Sequence, residues 1–365
     1  MKGFYFFIGT SAEFIKLAPV IKEFKRRNTK FKIITSGQNA INFDEFKSFT
    51  GKLVPNIELP KKISKSSLFG FFIWTMKTFF LSLRLFIKEL KKTKREDFYL
   101  IIHGDTISSL IGALVGKMVR VKIVQIESGL RSFNIFEPIP EEMCRLVISR
   151  IGSIFFAPNA WALNNLKKYK GEKISTGENT LIESCSWAIG KNNNSDYIKS
   201  LKNYYILFIH RQEHIYFNKD QTWNMIQTIM NNAPKKLNCV LVMHALTSKI
   251  LSPTKLDELS QTNKNLIILP KLPYVDFVNL IHNSEFIATD SCTSQEEAYY
   301  LGVPYLGLRN LTERVEGLNK NVVISKGNNK TMEKFLGSYK KYKKIRIKTN
   351  RKPSKIVVDY LINRY

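Results

Sequence analysis

Short apolar runs alternate with segments of helical periodicity along the chain, and no other feature constrains the fold as strongly. Between two such runs, Phe14, Leu17 and Ile21 recur at the spacing of one helical face. The runs that we predict to be buried strands are residues 4–8, 31–35, 98–102, 121–126, 205–209, 240–243, 266–269, 286–289 and 304–308. Alternating strands and helices indicate parallel sheets built from βαβ units, so the predicted fold class is α/β and doubly wound.

The length of the chain predicts two such domains. Its 365 residues fit two domains of roughly 100–200 residues each, and a polar, asparagine-rich stretch at 184–203 is typical of a linker. We predict Rossmann-like domains at 1–183 and 204–340 and a basic segment at 341–365, whose return to the N-terminal domain is left open. Ligands of doubly wound sheets bind beyond the carboxyl ends of the strands, which predicts a site in an interdomain cleft.

The chain is strongly basic. It has 57 Lys and Arg against 30 Asp and Glu, a net charge of +27 that attracts anionic partners such as nucleic acid, membranes or phosphorylated substrates. The densest block of positive charge lies at 340–355. Besides binding an anionic partner, this block can be interpreted as a solvated tail. Since no RNP, zinc-finger or helix-turn-helix signature accompanies the charge, we expect no nucleic acid partner.

The segment from Leu68 to Arg95 is apolar at first and ends in a basic cluster. Lys77 and Arg84 lie within its apolar part, and each cation costs about 2.5–3.5 kcal/mol in a membrane span. A helix lying on the membrane surface, with its aromatic face toward lipid and its lysines toward anionic headgroups, fits better. The alternative is an ordinary buried helix of the core.

Cysteine usage and the N-terminus indicate the cytoplasm. The cysteines are scattered without a paired spacing, which favours a reducing compartment over a disulfide scaffold or a zinc site. No signal-peptide pattern precedes the first apolar run, and we therefore predict a cytoplasmic protein with a peripheral membrane contact left open.

The first predicted strand ends in GTSAE at residues 9–13. Thr10 and Glu13 have the spacing of a capping box, which is a structural role. Gly9 permits close approach of the backbone, and the following helix N-terminus is a candidate anion site that Lys16 can reach.

Three acids follow predicted strands or begin a predicted helix. Asp105 comes after the third strand, where helix capping is the alternative, and Glu127 directly follows an apolar run, where folding alone explains a charge poorly. Glu141 lies four residues before Arg145, so one helical face is expected to present both groups. Crowded carboxylates differ in pKa, which supplies a general acid and a general base.

The second half carries charged and capping residues at its strand ends. HRQE at 210–213 places a histidine and an arginine there, and DSCTSQEE at 290–297 is a strand-to-helix turn whose amides are suited to a diphosphate. RNLTERVEG at 309–317 adds further charge after another strand.

In this order the motifs resemble those of the non-hydrolysing UDP-N-acetylglucosamine 2-epimerases. The family pattern G-T-R-P-E, G-D-T, E-A-G-L-R, P-E-E-x-x-R, H-R-R-E, D-S-G-G-x-Q-E-E and T-E-R-P-E appears here as GTSAE, GDT, ESGLR, PEEMCR, HRQE, DSCTSQEE and TERVE. The resemblance spans about residues 3–325. It implies a GT-B-like arrangement of two Rossmann-like domains, elimination and re-addition of UDP for surface polysaccharide synthesis, no cofactor or metal, and a homodimer.

The resemblance also implies residue roles. The catalytic set is Asp105, Glu127, Glu141, Arg145, His210 and Lys16, with the three acids in acid–base and orienting roles. The residues expected to bind the UDP-sugar are Gly9, Ser11, Gln38, Arg131, Arg211, Ser291, Cys292, Thr293, Glu297 and Arg314.

The departures from the family pattern fall on the phosphate side. Ser11 and Gln212 replace arginines, and Cys292 and Thr293 replace a glycine pair. The alternatives left open are a membrane-associated GT-B-type glycosyltransferase, a hydrolysing 2-epimerase and a catalytically inactive relative.

Overall fold

The computed structural model describes residues 2–59, 68–191, 196–211, 218–244 and 246–363 and divides into two compact units. The first unit comprises residues 1–184 and 350–365, and the second comprises residues 185–349. The basic segment at 341–365 is therefore shared between them, with 350–365 in the first unit.

The first unit is a parallel sheet with helices between its strands. Its strands are β1 (Gly3–Ile8), β2 (Phe31–Thr35), β3 (Ile57–Glu58), β4 (Phe98–His103), β5 (Lys122–Ile126), β6 (Ile154–Ala157) and β7 (Glu172–Ser175). Its helices are α1 (Ser11–Arg26), α2 (Lys47–Thr50), α3 (Leu68–Glu89), α4 (Ile107–Met118), α5 (Glu141–Ile151), α6 (Ala160–Asn165) and α7 (Leu181–Ile189), which runs across the unit boundary.

The strand order of this sheet is β3-β2-β1-β4-β5-β6-β7, which reverses direction between β1 and β4. Such a reversal leaves a crevice at the carboxyl ends of the two strands, where ligands of doubly wound sheets bind. The register pairs His103 with Ile126, so the turns after β4 and β5 lie side by side. Glu127 follows β5 directly, and Asp105 lies two residues beyond the end of β4.

The C-terminal helix α15 (Pro353–Asn363) belongs to the first unit and packs against α1. Lys2 Nζ donates to the carbonyls of Leu361 and Ile362 at 3.1 and 2.9 Å, and the Ser354 amide donates to Glu183 at 2.9 Å. These bonds join the two ends of the chain within one unit.

The second unit repeats the architecture with a smaller sheet. Its strands are β8 (Tyr204–Phe208), β9 (Asn238–Val242), β10 (Leu266–Leu269), β11 (Ile287–Thr289), β12 (Tyr305–Gly307) and β13 (Val322–Ile324). Its helices are α8 (Asp196–Ser200), α9 (Lys219–Asn232), α10 (Thr247–Ile250), α11 (Pro253–Thr262), α12 (Tyr274–Asn283), α13 (Cys292–Leu301) and α14 (Asn329–Ser338). The order β10-β9-β8-β11-β12-β13 reverses between β8 and β11, the strands that precede HRQE and DSCTSQEE.

The predicted linker at 184–203 is largely helical. Helix α7 extends to Ile189 and α8 covers Asp196–Ser200, while residues 192–195 lie outside the described residues. An apolar helical face precedes the asparagine run, with Cys185 and Ala188 buried, and the boundary between the two units falls between residues 184 and 185, at the start of this stretch.

Helix α3 buries one stripe and exposes an apolar face. The buried stripe consists of Trp74, Thr78, Ser82 and Phe86. On the outer face, Phe69, Phe72 and Phe80 are 74, 61 and 54% exposed. Within the described part of the chain, Phe69–Glu89 is the one helix long and apolar enough to span a membrane, by length and composition alone. The alternative interpretation of α3 as an ordinary core helix accounts for its buried stripe. It does not explain the exposed apolar side chains of the outer face.

Candidate active site

Glu127 lies in a buried pocket at the end of β5. Its Oε2 is 2.6 Å from Lys16 Nζ, accepts a hydrogen bond from Asn179 Nδ2 and lies 3.9 Å from His103 Nε2. The Glu127 and Lys16 side chains are each 4% exposed. Glu127 also has a φ of 61°, a left-handed conformation that is rare for glutamate and concentrated at functional sites. The turn after β5 therefore directs a charged side chain into a pocket that holds its counter-ion.

Asp105 belongs to an adjacent ion-pair network around Arg145. Arg145 Nη2 pairs with Asp105, and its Nη1 donates to Glu142 at 3.0 Å. Arg131 Nε donates to the same Glu142 carboxylate, as does the Ser132 amide at 3.1 Å. Burial opposes ionisation of Glu142, yet the hydrogen bonds from Arg131, Ser132 and Arg145 hold its pKa below the usual value.

The capping alternative for Asp105 is not what the structure shows. Helix α4 is capped by Thr106, whose hydroxyl accepts from the Ser109 amide at 3.1 Å. Asp105 is 21% exposed and pairs with Arg145. A carboxylate at a strand end that does not cap the following helix is available for chemistry.

Glu141 begins α5, as predicted, and shares the neighbourhood of Asp105. Burial, together with the charges of Asp105 and Glu141, raises the pKa of the Cys144 thiol to about 12. Cys144 is therefore a protonated core residue and not a nucleophile.

The N-terminus of α1 is occupied by the protein's own carboxylate. Glu13 Oε2 accepts from the amides of Gly9 and Thr10 at 2.6 and 2.8 Å, and Thr10 completes the predicted capping box. Burial raises the pKa of Glu13 despite these bonds and those from Thr106 and Ser109. The predicted capping box is therefore present, and it bonds the two amides that precede the helix, while an anion at the amides of the first turn of α1 stays a prediction.

Three residues predicted to bind the nucleotide have structural partners in this region. A Cβ on Gly9 would lie 2.1 Å from Ser108 Oγ, so glycine permits the close packing of β1 on α4. Gln38 Oε1 accepts from the Ser108 amide and hydroxyl at 3.1 and 2.6 Å. Ser11 Oγ donates to the Ala40 carbonyl at 3.1 Å. Substrate contacts by these residues remain a prediction.

In the second unit, His210 and Arg211 are organised by Asp290. The amides of His210 and Arg211 donate to the Asp290 carboxylate, and His210 Nδ1 lies 3.0 Å from Asp290 Oδ1. Asp290 is fully buried, whereas the His210 side chain is 30% exposed. The arrangement fixes the imidazole and leaves it accessible.

The turn before α13 forms the predicted helix N-terminus. Ser291 caps it by accepting from the Ser294 amide at 3.2 Å. Cys292 is buried, and its Sγ accepts from Arg211 Nη2 at 3.5 Å, while Thr293 follows it in the first turn. Arg211 Nε donates to the Asp290 carbonyl at 3.0 Å, which holds the guanidinium beside this turn.

One turn further along α13 lie two buried glutamates, of which Glu296 contacts the TERVE segment. Glu296 pairs with Arg314 at 2.7 Å, and Glu297 is 2% exposed. Gln295 Nε2 donates to the carbonyls of Arg314 and Glu316 at 3.3 and 3.0 Å, which ties that segment to the helix.

The sequence analysis did not single out several residues that contact these two sites, namely His103, Glu142, Asn179, Asp290 and Glu296. Gln212 of HRQE lies outside the described residues. Among the described residues no cluster of histidine, cysteine, aspartate and glutamate is arranged to hold a metal ion.

Both units are Rossmann-like, and carboxylates and guanidinium groups cluster at their strand ends. This combination is typical of a two-domain α/β enzyme. Residues 23–351 match the family model described as UDP-N-acetylglucosamine 2-epimerase. The chain is 32% identical to a UDP-N-acetylglucosamine 2-epimerase homolog of Methanococcus maripaludis, over 92% of this chain and 91% of that protein. It is 30% identical to the UDP-N-acetylglucosamine 2-epimerase of Methanocaldococcus jannaschii, over 88% of each.

The likeness extends to solved structures. A crystal structure of the M. jannaschii UDP-GlcNAc 2-epimerase in complex with UDP-GlcNAc and UDP matches with a TM-score of 0.84 and 25% identity, covering all of both chains. The chain belongs to the UDP-N-acetylglucosamine 2-epimerase family. The resemblance found in the sequence and the predicted α/β fold of two Rossmann-like domains are confirmed.

Proposed function

We propose that this chain interconverts UDP-N-acetylglucosamine and UDP-N-acetylmannosamine. The observation that carries the proposal is a pair of carboxylates at neighbouring strand ends, each with its own cation: Glu127 with Lys16 and Asp105 with Arg145. Inversion at C2 needs a group that removes a proton from one face of the sugar and a group that returns one to the other face. Two separately held carboxylates supply that pair.

In the proposed reaction a carboxylate takes the C2 proton and the C1–O bond breaks, with its electron pair leaving on UDP. The carbon electrons form the C1=C2 double bond of 2-acetamidoglucal. Re-addition reverses both steps: a phosphate oxygen attacks C1 while a proton is delivered to C2 from the opposite face. Asp105, Glu127 and Glu141 serve as acid–base and orienting groups.

The departing diphosphate is assigned to cations and helix amides. Arg145 and His210 meet its charge, Ser291 and the α13 turn hold it, and Glu297 takes the ribose hydroxyls. The product is proposed to be consumed in the cytoplasm by surface polysaccharide synthesis.

Proton NMR of the purified protein with UDP-N-acetylglucosamine in D₂O tests the reaction. Deuterium at C2 together with UDP-N-acetylmannosamine is the expected result. Free UDP with free sugar would instead identify a hydrolysing 2-epimerase. An unchanged spectrum would contradict the proposal and favour another donor or a glycosyltransferase.

We further propose that the outer face of α3 lies on an anionic membrane surface. The buried hydroxyls of Thr78 and Ser82 have no hydrogen-bond partner among the described residues, whereas phenylalanines occupy the solvent side. This inverted arrangement indicates that the outer face is covered by apolar material. Beside the C-terminal end of α3, a groove of about 440 Å³ combines apolar Leu83 and Ile87 with the cation of Lys91, which suits acyl chains and phosphate headgroups.

Co-sedimentation with phosphatidylglycerol vesicles measures this contact. We expect binding that falls at least ~10-fold in Phe72→Asp and Phe80→Asp, because each places a charge against acyl chains. Phe136→Asp is the matched control, since Phe136 is 73% exposed outside α3. The homodimer implied by the family resemblance is the competing occupant of this face. Dimers that dissociate in the α3 variants, without vesicle binding by the wild type, would overturn the membrane proposal.

A further inference from the structure

Asn179 provides a second hydrogen bond to the carboxylate oxygen that pairs with Lys16. It lies in the loop after the edge strand β7, in a segment with no sequence motif of its own, and is 3% exposed. Its Oδ1 accepts from the Leu181 amide at 3.1 Å at the start of α7. Since an amide N–H requires an acceptor, that bond identifies which terminal atom of the Asn179 side chain is the oxygen. The other atom, Nδ2, is therefore the one directed at Glu127.

The neighbouring residue fixes the other partner of the ion pair. Thr180 Oγ1 donates to the Lys16 carbonyl at 2.6 Å, and Ser184 Oγ donates to the Ile15 carbonyl at 2.6 Å. The start of α7 is thereby bonded to α1 on one side and to Glu127 on the other. A movement of this segment would displace both members of the pair.

We propose that Asn179 is a positioning residue that sets the orientation and charge of Glu127 for proton transfer at C2. The proposal rests on the epimerase function proposed above. Two donors on Oε2 favour the ionised carboxylate, and they turn the other oxygen, Oε1, toward Gly104 at the end of β4, on the side of Asp105. The groups that face this carboxylate include Lys16 from α1, His103 from β4 and the neutral Asn179 amide.

Asn179→Asp separates positioning from a structural role. Aspartate keeps the oxygen that accepts from the Leu181 amide, so the start of α7 stays capped, but it replaces the donor toward Glu127 by a negative oxygen. We expect kcat for C2 exchange to fall about 10- to 100-fold with KM changed less than about 2-fold, since a positioned base contributes ~10²–10⁴. The acidic limb of the pH–rate profile should move to higher pH, because a like charge opposes ionisation of the base.

Asn159→Asp is the matched control. Asn159 caps α6 through a 2.8 Å bond from the Ala162 amide, so its variant makes the same change at a helix cap without altering the donor to Glu127 and should keep wild-type exchange and pH profile. Asn179→Ser, which keeps a neutral cap but does not reach Glu127, tests the position if the aspartate variant does not fold. An Asn179→Asp or folded Asn179→Ser protein with the kinetics and pH profile of Asn159→Asp would overturn the proposal. Absence of exchange in the wild type would instead refute the epimerase function itself.

Discussion

Glu127→Gln is expected to lose C2 proton exchange by about 10³-fold, within the range that a positioned general base contributes. The amide has nearly the same shape as the carboxylate but does not take a proton from carbon. Exchange is measured as deuterium incorporation at C2 in D₂O, which reports proton removal even when no net epimerisation accumulates. Glu96→Gln, at an exposed position in the same unit, should keep wild-type exchange.

The structure also dictates how a loss of activity in Glu127→Gln must be checked. Glu127→Gln removes the carboxylate that pairs with the buried Lys16 ammonium, and removal of one partner of a buried pair costs about 3–5 kcal/mol. The double variant Lys16→Met with Glu127→Gln removes the buried ammonium as well and should regain stability without regaining exchange. Wild-type exchange in a folded Glu127→Gln protein would refute the assignment of Glu127 as the base.

The strands were predictable because burial on both faces of a parallel sheet leaves a continuous apolar run in the sequence. The predicted strands at 31–35 and 266–269 coincide with β2 and β10, and the other predicted strands differ from the observed ones by one or two residues at one or both ends. The strand β7 was missed because its sequence, EKIS, lies at the sheet edge and is polar. β3 and β13 were missed because they have only two and three residues, and the buried apolar run of β6, IFFA, was overlooked.

The residues of the candidate site likewise divide into those that the sequence indicated and those that it did not. Asp105 and Glu127 were selected from the sequence because acids that follow apolar strands have few structural explanations, and the structure places both in buried ion pairs. Asn179 was missed because it is 52 residues from Glu127 in the sequence and meets it only through the fold of the sheet. Glu142 was missed because the doubled glutamate of PEE gives no indication of which carboxylate faces inward, and the helix start decides it.

The N-terminus of α1 carries two expectations that rest on the same residues. A glycine followed by a helix N-terminus is typical of an anion site, and Thr10 with Glu13 has the spacing of a capping box. The structure contains the capping box, with the Glu13 carboxylate bonded to the Gly9 and Thr10 amides, and the approach of Ser108 requires the glycine. An anion bound at the first turn of α1 stays a prediction.

Arg145→Met is expected to destabilise the first unit by about 3–5 kcal/mol, the usual cost of removing one partner from a buried ion pair. Arg145 is 6% exposed in its side chain and pairs with both Asp105 and Glu142, so its loss leaves two carboxylates near each other, of which Glu142 keeps its partner Arg131. Urea denaturation measures the change in the free energy of unfolding.

The same helix supplies the control for this prediction. Arg150→Met removes an exposed guanidinium that donates only to the Leu146 carbonyl in the described contacts, and it should change stability by less than ~0.5 kcal/mol. Adding Asp105→Asn to Arg145→Met removes one of the stranded charges and should restore part of the lost stability, while C2 exchange stays absent. If Arg145→Met unfolds at the same urea concentration as Arg150→Met, the ion pairs around Asp105 contribute nothing to the fold. In that case Arg145 is held in place for the reaction alone.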